Sequence, residues 1–175
     1  YRAVIDDAGV ICGVKMDQQF RAIFSVEEDF GTVSEFQNSK YVFSDTGEIY
    51  KEIAENIKTK NQKIAFVGLP CQVAGLLRYI KTLRLSNSNL ITVDIVCHGV
   101  TPTRFLQEHI SWISKSKKVD ATEVCFRDPN ERTDTFTFSL KSGRKTFYKK
   151  RVDRNDYYQI GYHRGISYRN NCYNC

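Results

Sequence analysis

Lys63-Ile64-Ala65-Phe66-Val67-Gly68-Leu69-Pro70-Cys71-Gln72-Val73-Ala74-Gly75-Leu76-Leu77-Arg78-Tyr79-Ile80 is the stretch that decides the fold. Lys63 to Val67 is a short apolar run of β type; Gly-Leu-Pro punctuates it, and from Gln72 the apolar residues recur at helical spacing. The pattern then repeats. Leu90 to Cys97 is a near-continuous apolar strand broken by Asp94, and His98-Gly99-Val100-Thr101-Pro102 leads into a helix from Thr103 to about Lys117, with Leu106, Ile110 and Ile113 along one face. Strand, helix, strand, helix, with strands that read as buried, specifies a parallel or mixed sheet covered by helices, an α/β class.

Upstream, Val10 to Val14 and Phe20 to Val26 read as two strands around an Asp17-Gln18-Gln19 turn, a connection too short for anything but an antiparallel pair. Glu48 to Lys58 places Ile49, Ile53 and Ile57 at i, i+4 and i+8 with charges between them, an amphipathic helix capped by Thr46. Downstream, Ala121 to Arg127, Thr135 to Leu140 and Lys145 to Lys150 alternate apolar and polar side chains around a Lys141-Ser142-Gly143-Arg144 turn, antiparallel strands appended to the sheet. Arg154 to Tyr162 is helix-like, and residues 163–175 form an irregular, cysteine-bearing tail. The expected architecture is a single domain over 1–175, a mixed sheet with flanking helices and an appended antiparallel hairpin.

Composition agrees with that picture. The 175 residues are 41% apolar and 26% charged, with 10 Gly and 3 Pro, which excludes a disordered or fibrous chain. No apolar run approaches the roughly 18–20 residues that span a bilayer. The chain opens at Tyr1 and stops within a Cys-bearing motif, so we expect a piece of a longer protein, and scattered cysteines in a chain of normal apolar content favour reduced thiols in the cytoplasm over a disulfide framework. The net charge of +6 is concentrated, since residues 141–175 carry +7 interleaved with six Tyr. Such a segment suits an anionic partner or a solvated face, and composition leaves both open.

The thiols carry the chemistry. Cys71 opens a helix after a strand and Cys97 ends the next strand, so both should face the crevice at the carboxyl end of the sheet, and a helix N-terminus favours the Cys71 thiolate. Cys172-Tyr173-Asn174-Cys175 is a C-x-x-C pair in polar surroundings. Four thiolates are the ligand set of a [4Fe-4S] cluster or of structural zinc, whereas Cys12 and Cys125 lie in β-type runs and read as packing residues. His98 beside Cys97 is a candidate hydrogen-bond or proton donor, or a structural histidine. A zinc-thiolate module binding nucleic acid or protein is the alternative, ranked lower because only one short C-x-x-C hook is present, and a covalent role for Cys71 or Cys97 assisted by His98 is a third.

Four blocks together resemble a known family. Ser39-Lys40-Tyr41-Val42, Gly68 to Leu76, Asp94 to Pro102 and Asn171 to Cys175 are similar, in sequence, order and separation, to the beta subunits of coenzyme F420 hydrogenases and dehydrogenases. The resemblance implies an iron-sulfur flavoprotein oxidoreductase holding a [4Fe-4S] cluster and FAD, with F420 as a hydride-accepting coenzyme in some members. It further implies Cys71, Cys97, Cys172 and Cys175 as cluster ligands, Ser39, Lys40 and Tyr41 near the flavin, Gly68, Pro70, Gln72 and Gly99 at the cofactors, and His98 as the catalytic candidate. Implied partners are hydrogenase or dehydrogenase subunits or a ferredoxin-like carrier, with nucleic acid not expected. Members commonly carry Gln two residues after the Tyr of the first block, where this chain has Phe43. The amino-terminal ferredoxin-like part and the carboxyl-terminal end of such subunits fall outside these residues, so the isolated piece is expected to fold but to be inactive and to lose its cluster in air.

Overall fold

A computed structural model of the chain describes residues 2–152 and 156–174, without the side chains of Ala3 and Thr133. The chain divides into two compact units, one of residues 1–15, 23–37 and 44–97 and the other of residues 16–22, 38–43 and 98–175.

The first unit is built on a five-stranded sheet. In chain order it contains α1 (Arg2–Ile5), β1 (Val10–Met16), β2 (Ala22–Glu27), a 3-10 turn (Thr32–Phe36), β3 (Ser44–Asp45), α2 (Ile49–Thr59), β4 (Ile64–Gly68), α3 (Pro70–Thr82) and β5 (Leu90–Asp94). The strand order is β3-β2-β1-β4-β5, with β4 parallel to both β1 and β5. β1 and β2 are neighbours joined by the connection 17–21, closed by the Asp17 N–H on the Arg21 carbonyl at 2.9 Å, which makes the pair a hairpin.

Successive side chains of a strand point to opposite faces, and β1 uses both. Val10 and Cys12 join Ile64 and Phe66 against Ile49, Ile53, Val73, Leu76 and Ile80 of α2 and α3. Ile11 and Ala65 face the other way, onto Val4 and Val33. Burial on both faces is what a parallel sheet requires. β5 departs from the sequence expectation, because it is the edge strand and Ile91 and Val93 remain 45% exposed. An apolar run tells that a strand suits burial, not that anything covers it.

α2 starts as its isoleucine spacing predicts, but Thr46 does not cap it with its side chain. The Thr46 carbonyl accepts the Ile49 N–H at 3.0 Å, and the N-cap residue Glu48 makes no capping side-chain bond. The turn is set instead by the Asp45 carboxylate accepting the Gly47 N–H at 3.0 Å.

The second unit contains α4 (Thr103–Lys117), β6 (Glu123–Cys125), β7 (Phe138–Ser142), β8 (Lys145–Lys150) and α5 (Tyr157–His163). The three strands form an antiparallel sheet of their own, β6-β7-β8, rather than adding to the larger one. Leu106, His109, Ile110 and Ile113 give α4 one buried face at i, i+3, i+4 and i+7, and Lys118 ends it in the left-handed conformation at φ 53°. The core of this unit is aromatic, with Phe126, Phe138 and Tyr158 in mutual ring contact at 5.8–5.9 Å. The expected helix start at Arg154 and the thiol of Cys175 lie outside the described residues.

Buried polar groups brace this core. Asp156 caps α5 by accepting the Gln159 N–H at 2.8 Å, and its other oxygen accepts from His109 Nε2 at 3.0 Å and from the Tyr148 hydroxyl at 2.9 Å. Burial alone would raise the Asp156 carboxyl, but these donors and the His109 ring outweigh it and hold it below the ordinary carboxylate range. One carboxylate thus joins α4, β8 and α5.

Candidate functional site

The β4 to α3 junction is shaped by its own side chains. Pro70 occupies the first helical position, where its missing N–H costs nothing, and Cys71 follows in the first turn. Gln72 is buried, its side-chain oxygen accepting the Leu69 N–H at 3.0 Å and its amide nitrogen donating to the carbonyl and hydroxyl oxygens of Ser44 at 2.9 Å. Gln72 therefore pins the Gly68-Leu69-Pro70 turn to β3 and is a positioning residue for Cys71. Replacing Gln72 by Leu should cost about 1–3 kcal/mol, because buried groups lose their partners, and the urea midpoint of unfolding measures it.

Beyond β5 the chain runs across the end of β4, the Ile95 N–H reaching the Gly68 carbonyl at 2.9 Å. Cys97 lies two residues further on, three residues past the last residue of the strand, so Cys71 and Cys97 leave the carboxyl ends of adjacent parallel strands and both are exposed. Cys12 and Cys125 are buried, as their β-type surroundings predict. Burial, then the charge of Glu52, pushes the Cys12 thiol up to about 12, and burial raises Cys125 against the pull of Lys141. A maleimide should accordingly label Cys71 and Cys97 in the native chain at least about a hundredfold faster than Cys12, since they are exposed while Cys12 is buried with its thiol pushed up. Mass mapping of the labelled peptides checks this, and equal rates would contradict it.

In the second unit Cys172 sits in a 3-10 turn, Asn170–Asn174, and is half-buried. Among the described residues no three His, Cys, Asp or Glu side chains stand together closely enough to hold a metal ion. What the structure does supply for a metal-sulfur centre is donor chemistry, two exposed thiols at one end of the sheet and a third on the tail.

His98, the residue after Cys97, is exposed, and its Nδ1 is hydrogen-bonded to the Tyr168 hydroxyl. Gly99 has φ 132° and lies under the Tyr168 ring, where an added Cβ would stand 2.3 Å from the nearest ring carbon. Only glycine fits there.

The Ser39-Lys40-Tyr41 segment belongs to the same unit. Tyr41 stacks on Tyr162 with centroids 4.5 Å apart and meets Phe126 and His163 edge-on, while its carbonyl accepts from the Thr101 and Tyr158 hydroxyls. The ring is committed to packing. Ser39 and Lys40 are half-buried, and desolvation brings the Lys40 ammonium down to about 8, only partly offset by Cys125. Phe43 has a partner that sequence reasoning missed, since the Arg169 guanidinium lies over its ring at 3.7 Å from the centroid. The interleaved cations and tyrosines of the tail were the available signal, but not the pairing.

The family described as the carboxyl terminus of the beta subunit of coenzyme F420 hydrogenase/dehydrogenase matches residues 61–175. The chain belongs to that family. The match takes in β4, α3, β5, α4 and the tail. No curated protein matches the chain. A solved chain of the F420-reducing [NiFe] hydrogenase complex from Methanosarcina barkeri, studied by xenon derivatization, shares the fold at a TM-score of 0.55 and 13% identity over 97% of this chain. This beta-subunit module spans 53% of that chain, about half its length. Among the described residues no helix is long and apolar enough to cross a membrane.

Proposed function

We propose that this beta-subunit module is part of a flavin- and iron-sulfur-dependent oxidoreductase that moves electrons between a [4Fe-4S] cluster, FAD and a hydride-accepting coenzyme such as F420 or another soluble carrier. The observation that carries the reading is the family match over 61–175, which includes Cys71, Cys97, Cys172 and Cys175. The three of these that are described reach solvent at least in part, unlike Cys12 and Cys125. When bound, the cluster supplies single-electron transfer and the flavin couples it to hydride chemistry. The partners are hydrogenase or dehydrogenase subunits or a ferredoxin-like carrier, and the compartment is the cytoplasm.

The chain's own contribution is to place ligands and manage charge. Gln72 fixes the Gly68-Leu69-Pro70 turn that presents Cys71, and Cys71, Cys97, Cys172 and Cys175 are the thiolates that would hold the cluster, with Gly99 packed under the Tyr168 ring on the stretch after Cys97. Ser39, Lys40 and the backbone of Tyr41 are the groups that would lie at the flavin, and Lys40 carries its positive charge at Nζ below pH about 8. His98, next in the chain to Cys97 and hydrogen-bonded through Nδ1 to the Tyr168 hydroxyl, is the candidate donor to the reduced cofactor.

Anaerobic preparation of the full-length protein that contains this module, followed by flavin and acid-labile sulfide analysis and by reduction assays with F420, ferredoxin and nicotinamide carriers, tests the reading. Flavin and sulfide with turnover of a soluble carrier is expected, whereas zinc without acid-labile sulfide would overturn the cluster in favour of a structural knot. The Lys40 charge gives a second check. Because its folded-state value lies near 8, the cation is lost as pH rises through that region, and flavin affinity should fall about tenfold between pH about 7 and 9.5, the worth of one charge-assisted hydrogen bond. Lys40→Met should bind weakly and without that pH dependence, as flavin fluorescence titration would show.

A further inference from the structure

We propose that Tyr168 and Arg169 form a clasp that positions the Cys172 tail for metal before any metal binds, an inference that rests on the cluster reading of the proposed function. Three contacts, all within the second unit, define it. The Tyr168 ring packs over Gly99 and its hydroxyl bonds His98, on the stretch that directly follows Cys97. The Arg169 N–H donates to the Val100 carbonyl at 2.9 Å, and its guanidinium lies over Phe43, two residues from Tyr41. The Cys172 N–H then donates to the Arg169 carbonyl at 2.8 Å, which ties the thiol-bearing turn to the clasp.

The tail is locked internally as well. The Tyr173 hydroxyl donates to the Ile166 carbonyl at 2.9 Å and accepts the Tyr168 N–H at 3.1 Å, so the residue beside Cys172 closes a loop back onto the clasp. A tail of polar residues has little apolar area with which to order itself, and these directional contacts replace it. Ordering the tail in advance reduces the entropy that metal binding must overcome when it gathers ligands far apart in the chain. Phe43 acquires a role on this account: its aromatic face holds a cation of the tail, the Arg169 guanidinium.

Amide hydrogen exchange and cobalt(II) titration of the metal-free, reduced chain test the clasp. The Arg169 and Cys172 amides should be protected without metal, and Tyr168→Phe, which keeps the ring and removes the hydroxyl, should speed their exchange about tenfold while leaving the Leu106 amide of α4 unchanged. Cobalt(II) affinity should drop about tenfold in Tyr168→Phe and Phe43→Gln, with an unchanged thiolate-to-cobalt band because the ligands are the same, and Phe43→Tyr should restore it. Cys172→Ser should alter the band itself. Unprotected amides, or exchange that does not respond to Tyr168→Phe, would overturn the clasp, as would faster exchange with no change in cobalt affinity. Protected amides in a chain that gives no thiolate-cobalt band would instead sink the cluster reading, and with it the positioning role.

Discussion

Asp156→Ala should destabilise the second unit by about 3–5 kcal/mol, the cost of removing one partner from a buried charged network. Asp156 is fully buried, and its loss strands the His109 ring N–H, the Tyr148 hydroxyl and the Gln159 N–H together, and uncaps α5. Trp112, the only tryptophan, lies 6.2 Å from the His109 ring, so its fluorescence in urea reports this unit directly. The pH dependence follows from the depressed carboxyl. Its stabilisation is fully present above the unfolded-state value of about 3.9 and is lost as pH falls through the lower folded value. Wild-type urea midpoints should therefore fall on the acid side of about pH 4, and Asp156→Asn should show a flatter acid limb. A change of less than about 1 kcal/mol in Asp156→Ala would contradict the bracing role.

Gly99→Ala should cost about 3 kcal/mol. A φ of 132° is a region that side chains other than hydrogen occupy only under strain of about 1–3 kcal/mol. The new methyl also enters the space of the Tyr168 ring, and overpacking of this kind typically adds about 1–3 kcal/mol, partly relieved if the ring swings away. Relief by that route breaks the hydrogen bond to His98, so the same variant should raise amide exchange at Arg169. The effect is read from the urea midpoint, and wild-type stability in Gly99→Ala would show that the backbone adopts another path there.

Much of the architecture was legible because it rests on local periodicity. α4 begins and ends where its leucine and isoleucine spacing places it, and the strand-turn-helix at 64–82 follows from an apolar run, Gly-Leu-Pro and a helical repeat. The departures arise where distant residues decide. Nothing in Leu90 to Val96 says that β5 is an edge strand whose Ile91 and Val93 stay exposed, and nothing in residues 121–150 says that three strands close on one another instead of extending a sheet already begun. α5 starts at Tyr157 because Asp156 caps it, and the partners that make Asp156 valuable come from α4 and β8.

The candidate site divides in the same way. Exposed Cys71 and Cys97 and buried Cys12 and Cys125 were readable from the type of segment that carries each. The commitment of Gln72 to Ser44, and of Tyr41 to Tyr162, was not, because a buried amide or stacked ring has no signature in its own neighbourhood. The same holds for Arg169 on Phe43, a pair that only the folded second unit brings together.

The most direct test of the central claim is the ratio of iron to acid-labile sulfide to protein after anaerobic reconstitution, measured side by side for the wild type, Cys97→Ser and Cys12→Ser. Assignment of Cys71, Cys97, Cys172 and Cys175 as cluster ligands predicts about four irons and four sulfides per chain in the wild type and in Cys12→Ser, and a large loss in Cys97→Ser. Equal iron and sulfide in Cys97→Ser and the wild type would contradict it.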